Sequence, residues 1–204
     1  LDLFRTSQPV LEAGCGSGRW CAWFGKNGIR CDGLDWSHAL CHRAAMEAPG
    51  CRFVPGDIQL APFRSGSYGG ILALGSGEHV PHGPVAALEE CRRLLRPGGR
   101  AVVTVPFGGP LRRTRRRLEI PLRWARTSRL VRELRGLPNT GCALRDVRRT
   151  TRNSWYPVFF HGDEGWYFYE YEFSAPQFRS FVRQAGLPLA ERREQYFYFL
   201  IVVL

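Results

Sequence analysis

The sequence predicts a doubly wound α/β sheet, and three observations carry that expectation. Short apolar strands alternate with helical patterns over residues 9–107. A glycine-rich turn, "VLEAGCGSGRW" at 10–20, joins the first strand to the first helix. The chain closes on a continuous apolar run, "YFYFLIVVL" at 196–204, of the kind found in strands buried on both faces.

"PVLEA" (9–13) reads as a short buried strand, and residues 17–27 as a helix with Trp20, Trp23 and Phe24 at helical spacing. "GIRCDGLDWS" (28–37) gives a second strand ending at Asp35, and Ser37 caps a predicted helix over 38–48. Strand, glycine turn, helix and strand in succession make a βαβ unit, whose crossover requires parallel strands. "CRFVPGDI" (51–58) is the third strand, "GGILALGS" (69–76) the fourth and "RAVVTVPF" (100–107) the fifth. "VAALEECRRLLRPGG" (85–99) is a helix stopped by Pro-Gly-Gly. "SAPQFRSFVRQAGL" (174–187) has a serine cap, a glycine stop and an apolar face of Phe178, Phe181, Val182 and Ala185, and the closing apolar run is a strand.

Residues 108–173 interrupt this pattern, and so long an excursion after a sheet strand is functional or disordered. Its first part is rich in arginine and broken by Pro110, Pro121 and Pro138. Residues 155–173 hold ten aromatics in nineteen positions, which argues for folded structure there. The stretch 122–137 sets Leu130, Val131, Leu134 and Leu137 on one helical side with arginines around them, a pattern that suits a lid helix or an interfacial one, with the proline-broken flanks favouring the lid.

A chain of 204 residues with 44% hydrophobic content suits one domain, 1–204, with 108–173 inserted in it. No apolar run reaches the roughly 20 residues of a membrane span, and "LDLFRTSQPV" has no leader pattern, so a cytoplasmic protein is expected. The seven cysteines form no CxxC pair and are odd in number, which favours reduced thiols acting as small buried hydrophobes. The net charge of +11 is concentrated in residues 111–152, where 14 arginines, Arg112 first and Arg152 last, face only Glu119, Glu133 and Asp146. A solvated basic face is the default reading of that segment. An anionic substrate, an anionic membrane surface or nucleic acid are the partners it would suit.

Glycine destabilises element interiors, so Gly14, Gly16 and Gly18 mark backbone that turns tightly or lies against a ligand. In open α/β sheets ligands bind beyond the carboxyl ends of the strands. A dinucleotide fingerprint, GxGxxG, would put its third glycine at position 19, where this chain has Arg19, so a nicotinamide-dependent oxidoreductase is disfavoured. Glu12-x-Gly14-x-Gly16-x-Gly18 instead resembles the first motif of class I S-adenosylmethionine-dependent methyltransferases, and further matches follow in that family's order. "LEECRRLLRPGGRAVVTVP" (88–106) resembles the segment leading into the fifth strand of the type 11 group. The resemblance covers 9–107 well and 171–204 more loosely.

It implies a Rossmann-like, mostly parallel seven-stranded sheet with an inserted lid or cap segment after strand 5. The implied cofactor is S-adenosyl-L-methionine and the product S-adenosyl-L-homocysteine. Glu12, Gly14, Cys15, Gly16 and Gly18 would form the loop that receives it. Asp35 would accept from the ribose hydroxyls, with Trp36 packed on the adenine. Asp57 would accept from the adenine amino group, with Gly56 and Ile58 beside the ring, and Gly75 and Ser76 would approach the methionine part.

The fourth strand is followed by "LGSGEHV" rather than a D/N-P-P-Y/F sequence, and no Pro-Cys nucleophile is present, so nucleic acid is disfavoured as the methyl acceptor. The expected substrate is a small molecule, with the hydroxyl of an aromatic or lipid-like compound as the accepting group. His79 is the candidate base, because it follows the fourth strand and imidazole exchanges protons near neutrality. Glu78-His79 also resembles a Glu-His pair common in the subgroup, including its quinone-biosynthesis members, where its role varies; a supporting loop role for His79 stays open. His82 reads as a surface residue and His161 as part of the aromatic segment. The five histidines have no metal-ligand spacing, and the implied chemistry requires no metal. The aromatics of 155–173 either wall an apolar acceptor or fill a core under a lid. A non-catalytic S-adenosylmethionine-binding or scaffold protein, with its basic segment on a membrane or nucleic acid, is the alternative function.

Overall fold

The computed structural model describes residues 2–80, 82–106, 156–162, 165–195 and 198–203, with side chains placed for 4–80, 82–106 and 171–188. The arginine-rich segment 111–152, the helix expected over 122–137 and Cys142 therefore lie outside the described residues. Two compact units divide the chain: Leu1–Pro106 with Ala175–Leu204, and Phe107–Ser174.

The first unit holds α1 (Asp2–Arg5), β1 (Val10–Ala13), α2 (Arg19–Lys26), β2 (Cys31–Asp35), α3 (His38–Glu47), β3 (Arg52–Pro55) and β4 (Tyr68–Leu74). A 3₁₀ turn (Gly77–His79), α4 (Val85–Leu94) and β5 (Leu95–Pro106) follow. After the second unit's β6 (Tyr156–Gly162) and β7 (Gly165–Glu172) come α5 (Ala175–Gln184), β8 (Leu189–Gln195) and β9 (Tyr198–Val203). The main sheet has seven strands in the order β3-β2-β1-β4-β5-β9-β8. The β3, β2, β1, β4 and β5 pairings are all parallel. Strand β9 runs antiparallel to both β5 and β8, so it alone opposes the common direction.

Strand β1 pairs with β2 on one side and β4 on the other, so the chain reverses its winding at β1. Right-handed crossovers in opposite directions place helices on opposite faces, and the reversal opens a crevice at the strands' carboxyl ends. The central strands are buried along nearly their whole length, without the alternation of a half-exposed sheet. On one face Phe4, Val10, Cys21, Phe24, Ile29, Cys31, Leu72 and Val102 pack together. The described cysteines are all free, and Cys15, Cys21, Cys31, Cys41 and Cys91 are buried, in keeping with their reading as small hydrophobes.

Several boundaries differ from expectation, each for a local reason. Helix α4 ends at Leu94, not at Pro-Gly-Gly. Tyr68 pairs with Leu95 and Gly70 with Arg100, so Arg96, Pro97, Gly98 and Gly99 bulge out of a strand already begun. Strand β3 stops at Pro55, leaving Gly56, Asp57 and Ile58 in the turn that follows. The stretch 174–187 holds helix α5 (Ala175–Gln184), closed just past its carboxyl end by Gly186 at φ +68° with the Leu187 amide donating to the Val182 carbonyl at 3.1 Å. The single closing strand expected from sequence is the second arm of a hairpin, β8–β9.

The second unit contains an antiparallel pair, β6 and β7, registered from Tyr156 opposite Glu172 to Gly162 opposite Gly165, with an irregularity at Val158 and Phe159. Much of the aromatic stretch is thus a β-hairpin, and His161 lies opposite Trp166 on it. Tyr171, Glu172 and Phe173 are buried. No helix among the described residues is long and apolar enough to cross a membrane.

Candidate functional site

Four turns leave the carboxyl ends of β1, β2, β3 and β4, and hydrogen bonds and close contacts tie them together. The turn after β1 is built on left-handed glycines: Gly14 at φ +81°, Gly16 at +53° and Gly18 at +75°. The amides of Gly14 and Cys15 both donate to the Leu34 carbonyl, at 2.8 and 2.9 Å, which folds the turn over the end of β2. The Gly16 amide donates to Asp35 Oδ2 at 2.8 Å, while Asp35 Oδ1 accepts from the Ser37 amide at 2.9 Å. One carboxylate at the end of β2 therefore holds both the glycine turn and the start of α3. Ser37 also caps that helix, its Oγ accepting from the Leu40 amide at 3.3 Å.

Glu12 lies within β1, 5% exposed, and its Oε2 accepts from the Cys21 amide at 2.8 Å. Helix α2 starts at Gly18, which has no side chain to cap it, so Glu12 supplies the missing acceptor from the neighbouring strand. Burial raises the Glu12 pKa above its ordinary value, and the hydrogen bonds from Cys21 oppose that rise. Burial likewise pushes the Cys15 thiol well up, so it is no nucleophile in the glycine turn.

The turn after β3 hangs from β2 through the Gly56 amide, which donates to the Asp35 carbonyl at 2.9 Å. Asp57 is exposed and Ile58 half-buried. Asp57 Oδ1 accepts from the Gln59 amide at 2.8 Å, and the Gln59 side-chain nitrogen lies 3.2 Å from both carboxylate oxygens. Trp36 is 84% exposed, a full indole face in solvent beside Asp35. In the turn after β4, Gly75 is at φ +68° and its amide donates to Thr104 Oγ1 at 3.1 Å. Ser76 is buried, and its Oγ has no hydrogen-bond partner among the described residues. A Cβ on Gly14 would stand 2.6 Å from Ser76 Cβ, so the first and fourth turns abut.

The side chain of His79 is exposed at the end of the 3₁₀ turn, with its amide donating to the Ser76 carbonyl at 3.2 Å; Glu78 beside it is buried. Beneath these turns a small apolar hollow is lined by Ala13, Ile58, Ser76, Gly77, Leu88 and Val105 among others. The structure thus brings the glycine turn, Asp35, the Gly56–Ile58 turn and Gly75–Ser76 to one edge of the sheet. Glu12 stands apart from them, directed at the start of α2. Sequence reasoning missed Thr104, and Gln59 as the partner of Asp57; a β5 threonine opposite the end of β4 becomes visible only once the register is known.

Two features suit a nucleoside-bearing ligand held by backbone. No atom lies within 4 Å of where a Gly16 Cβ would stand, so the backbone there faces open space. Ser76 Oγ is a buried polar atom awaiting a partner. Comparison with known proteins agrees. Residues 11–103 match the family model described as a methyltransferase domain. The demethylmenaquinone methyltransferase of Beutenbergia cavernae is 32% identical over 100 residues, 48% of this chain and 41% of that protein. The malonyl-[acyl-carrier protein] O-methyltransferase of Erwinia pyrifoliae is 29% identical over 103 residues, 50% of this chain and 39% of that protein. The matched segment thus spans well under half the length of either relative. Among solved structures, the Burkholderia thailandensis 1,6-didemethyltoxoflavin-N1-methyltransferase, with bound 1,6-didemethyltoxoflavin and S-adenosylhomocysteine, shares the fold at a TM-score of 0.62. It is 18% identical, over 95% of this chain and 69% of that one. A TehB-like S-adenosylmethionine-dependent methyltransferase from Corynebacterium glutamicum does so at 0.59 and 18%, over 95% and 78%. The segment that matches the methyltransferase-domain model thus carries its glycine motif on the converging turns of a reversed-winding sheet, and the fold is one that solved methyltransferases share.

Proposed function

We propose that this chain transfers the methyl group of S-adenosylmethionine to the hydroxyl of a small aromatic or lipid-like acceptor. The observation that carries the cofactor half is the Asp35 carboxylate, bonded to the Gly16 amide at the mouth of a turn whose glycine faces open space. Asp35 and the amides of the glycine turn would hold the ribose and the methionine part, with Trp36 and Ile58 on the adenine and Ser76 Oγ as a further donor. Bound S-adenosylmethionine supplies a sulfonium-activated methyl group. The protein's task is then to orient the acceptor, exclude water and take up the hydroxyl proton.

For that proton we assign His79, which stands on the turn leaving β4 two residues beyond Gly77. The acceptor half draws support from similar proteins named for demethylmenaquinone, malonyl-[acyl-carrier protein] and 1,6-didemethyltoxoflavin, all small or carrier-borne acceptors. The aromatic residues of 155–173 and the arginines of 112–152 are the segments we assign to the acceptor, its apolar body and any acidic group respectively.

The test is transfer of labelled methyl to a hydroquinone, a carboxylate and an amine offered side by side. Label on the hydroquinone hydroxyl is expected, and His79→Asn should lower kcat about 100-fold with KM little changed. Label confined to the carboxylate or the amine, or to none of the three, contradicts the acceptor assignment. An unchanged kcat in the variant removes His79 from the chemistry.

A further inference from the structure

Between Gly56, which is tied to the end of β2, and Ala61 the chain spans only Asp57, Ile58, Gln59 and Leu60. Its downstream end is fixed by two side chains of α4. Arg93 uses all five of its N–H donors. Its Nε donates to Glu90 Oε2 at 2.7 Å, and its Nη2 to Glu90 Oε1 at 2.6 Å and to the Ala61 carbonyl at 3.1 Å. Its Nη1 donates to the Phe63 carbonyl at 2.9 Å and to Ser65 Oγ at 3.1 Å. Glu90 Oε1 accepts in addition from the Ala61 amide at 2.7 Å, and the Arg93 carbonyl accepts from the Gly66 amide at 2.9 Å. Glu90 is buried, and the hydrogen bonds from Arg93 hold its carboxyl below the usual carboxylate range.

We propose that Arg93 and Glu90 are positioning residues for cofactor recognition: by clamping residues 61–66 onto α4 they hold the four-residue arch that carries Asp57 and Ile58 at the adenine end of the site. The inference rests on the reading that Asp57 accepts from the adenine amino group. An arch of four residues pinned at both ends has few backbone freedoms left, and it loses its register when one anchor is cut. The planar fork explains why arginine stands here. A lysine keeps the charge beside Glu90 but cannot reach Ala61, Phe63 and Ser65 together.

The test is calorimetric titration of the chain and of Arg93→Lys and Arg93→Met with S-adenosylhomocysteine and with its hypoxanthine counterpart, which lacks the amino group. The parent should prefer the adenine ligand about tenfold, the worth of one charge-assisted hydrogen bond. In Arg93→Lys the affinity for S-adenosylhomocysteine should fall about tenfold and the preference for adenine should shrink towards one. A loss of stability alone lowers the melting temperature without changing that preference, and Arg93→Lys carries the test if Arg93→Met does not fold. Parent-like affinity and preference in a folded Arg93→Lys overturns the inference and leaves the cofactor reading intact. A parent chain that binds neither ligand, or binds both equally, overturns the reading on which the inference stands and the inference with it.

Discussion

Gly14, Gly16 and Gly18 all have positive φ, yet an added Cβ would meet something different at each. At Gly14 it strikes Ser76, at Gly18 the ring of Phe53 and the Ala44 methyl, and at Gly16 nothing. Gly14→Ala should therefore cost about 2 kcal/mol of unfolding free energy or more, since left-handed strain adds to a clash with Ser76 Cβ. Gly16→Ala should cost only about 1 kcal/mol and still abolish S-adenosylhomocysteine binding. Urea unfolding and calorimetry on the two variants separate these effects, and a Gly16→Ala chain that binds normally would show that the turn does not face the ligand. Glu12 makes a second residue-scale prediction. Its folded pKa is raised above 4.5 by burial, so it destabilises the fold as pH climbs from 4.5 through that raised value. Glu12→Gln keeps an acceptor for the Cys21 amide and sheds the buried charge, so its stability at pH 7 should equal or exceed the parent's. Glu12→Ala should lose about 1 kcal/mol by orphaning that amide. Equal losses in the two variants would show that the charge itself is what α2 needs.

Glu90 titrates with the opposite sign. The Arg93 hydrogen bonds lower its pKa below 4.5, so its contribution is complete above 4.5 and is lost as pH falls through the lowered folded value. Thermal unfolding followed below pH 4.5 should show an acid-dependent loss of stability that Glu90→Gln largely removes; an identical acid profile in the variant would mean that the clamp is not ionic. The elements that sequence made legible are the ones buried on both faces. β1 and β4 announce themselves by their apolar residues, β2 by its place between the first helical pattern and the Asp35-Trp36-Ser37 turn, and α3 by its serine cap. Strand β8, "LAERREQ", stayed hidden because it is the sheet's last strand, and charged residues are what an edge strand carries against unwanted pairing. Pro-Gly-Gly misled because the same residues that stop a helix also bulge a strand, and only the pairing of Tyr68 with Leu95 tells them apart. Glu90 and Arg93 were readable as an i, i+3 pair, but the carbonyls of Ala61 and Phe63 that Arg93 holds lie about 30 positions earlier in the chain.

For the molecule as a whole, the order of strands follows from the order of motifs. An acid ending β2, a glycine turn after β1 and a turn after β3 can converge only if β1, β2 and β3 are neighbours, and the sheet has them so. What sequence could not supply was the reach of each turn: that Asp35 bonds Gly16, that Gly14 abuts Ser76, and that Glu12 serves α2 instead of standing among them. The proposed function stands or falls with an S-adenosylmethionine site on the converging turns. Calorimetric titration of the chain and of Asp35→Ala with S-adenosylmethionine, S-adenosylhomocysteine and NAD tests it most directly. Micromolar binding of the first two, lost in Asp35→Ala and absent for NAD, is the predicted result. A folded parent chain that binds neither sulfonium nor thioether ligand, or that binds NAD in their place, would contradict it.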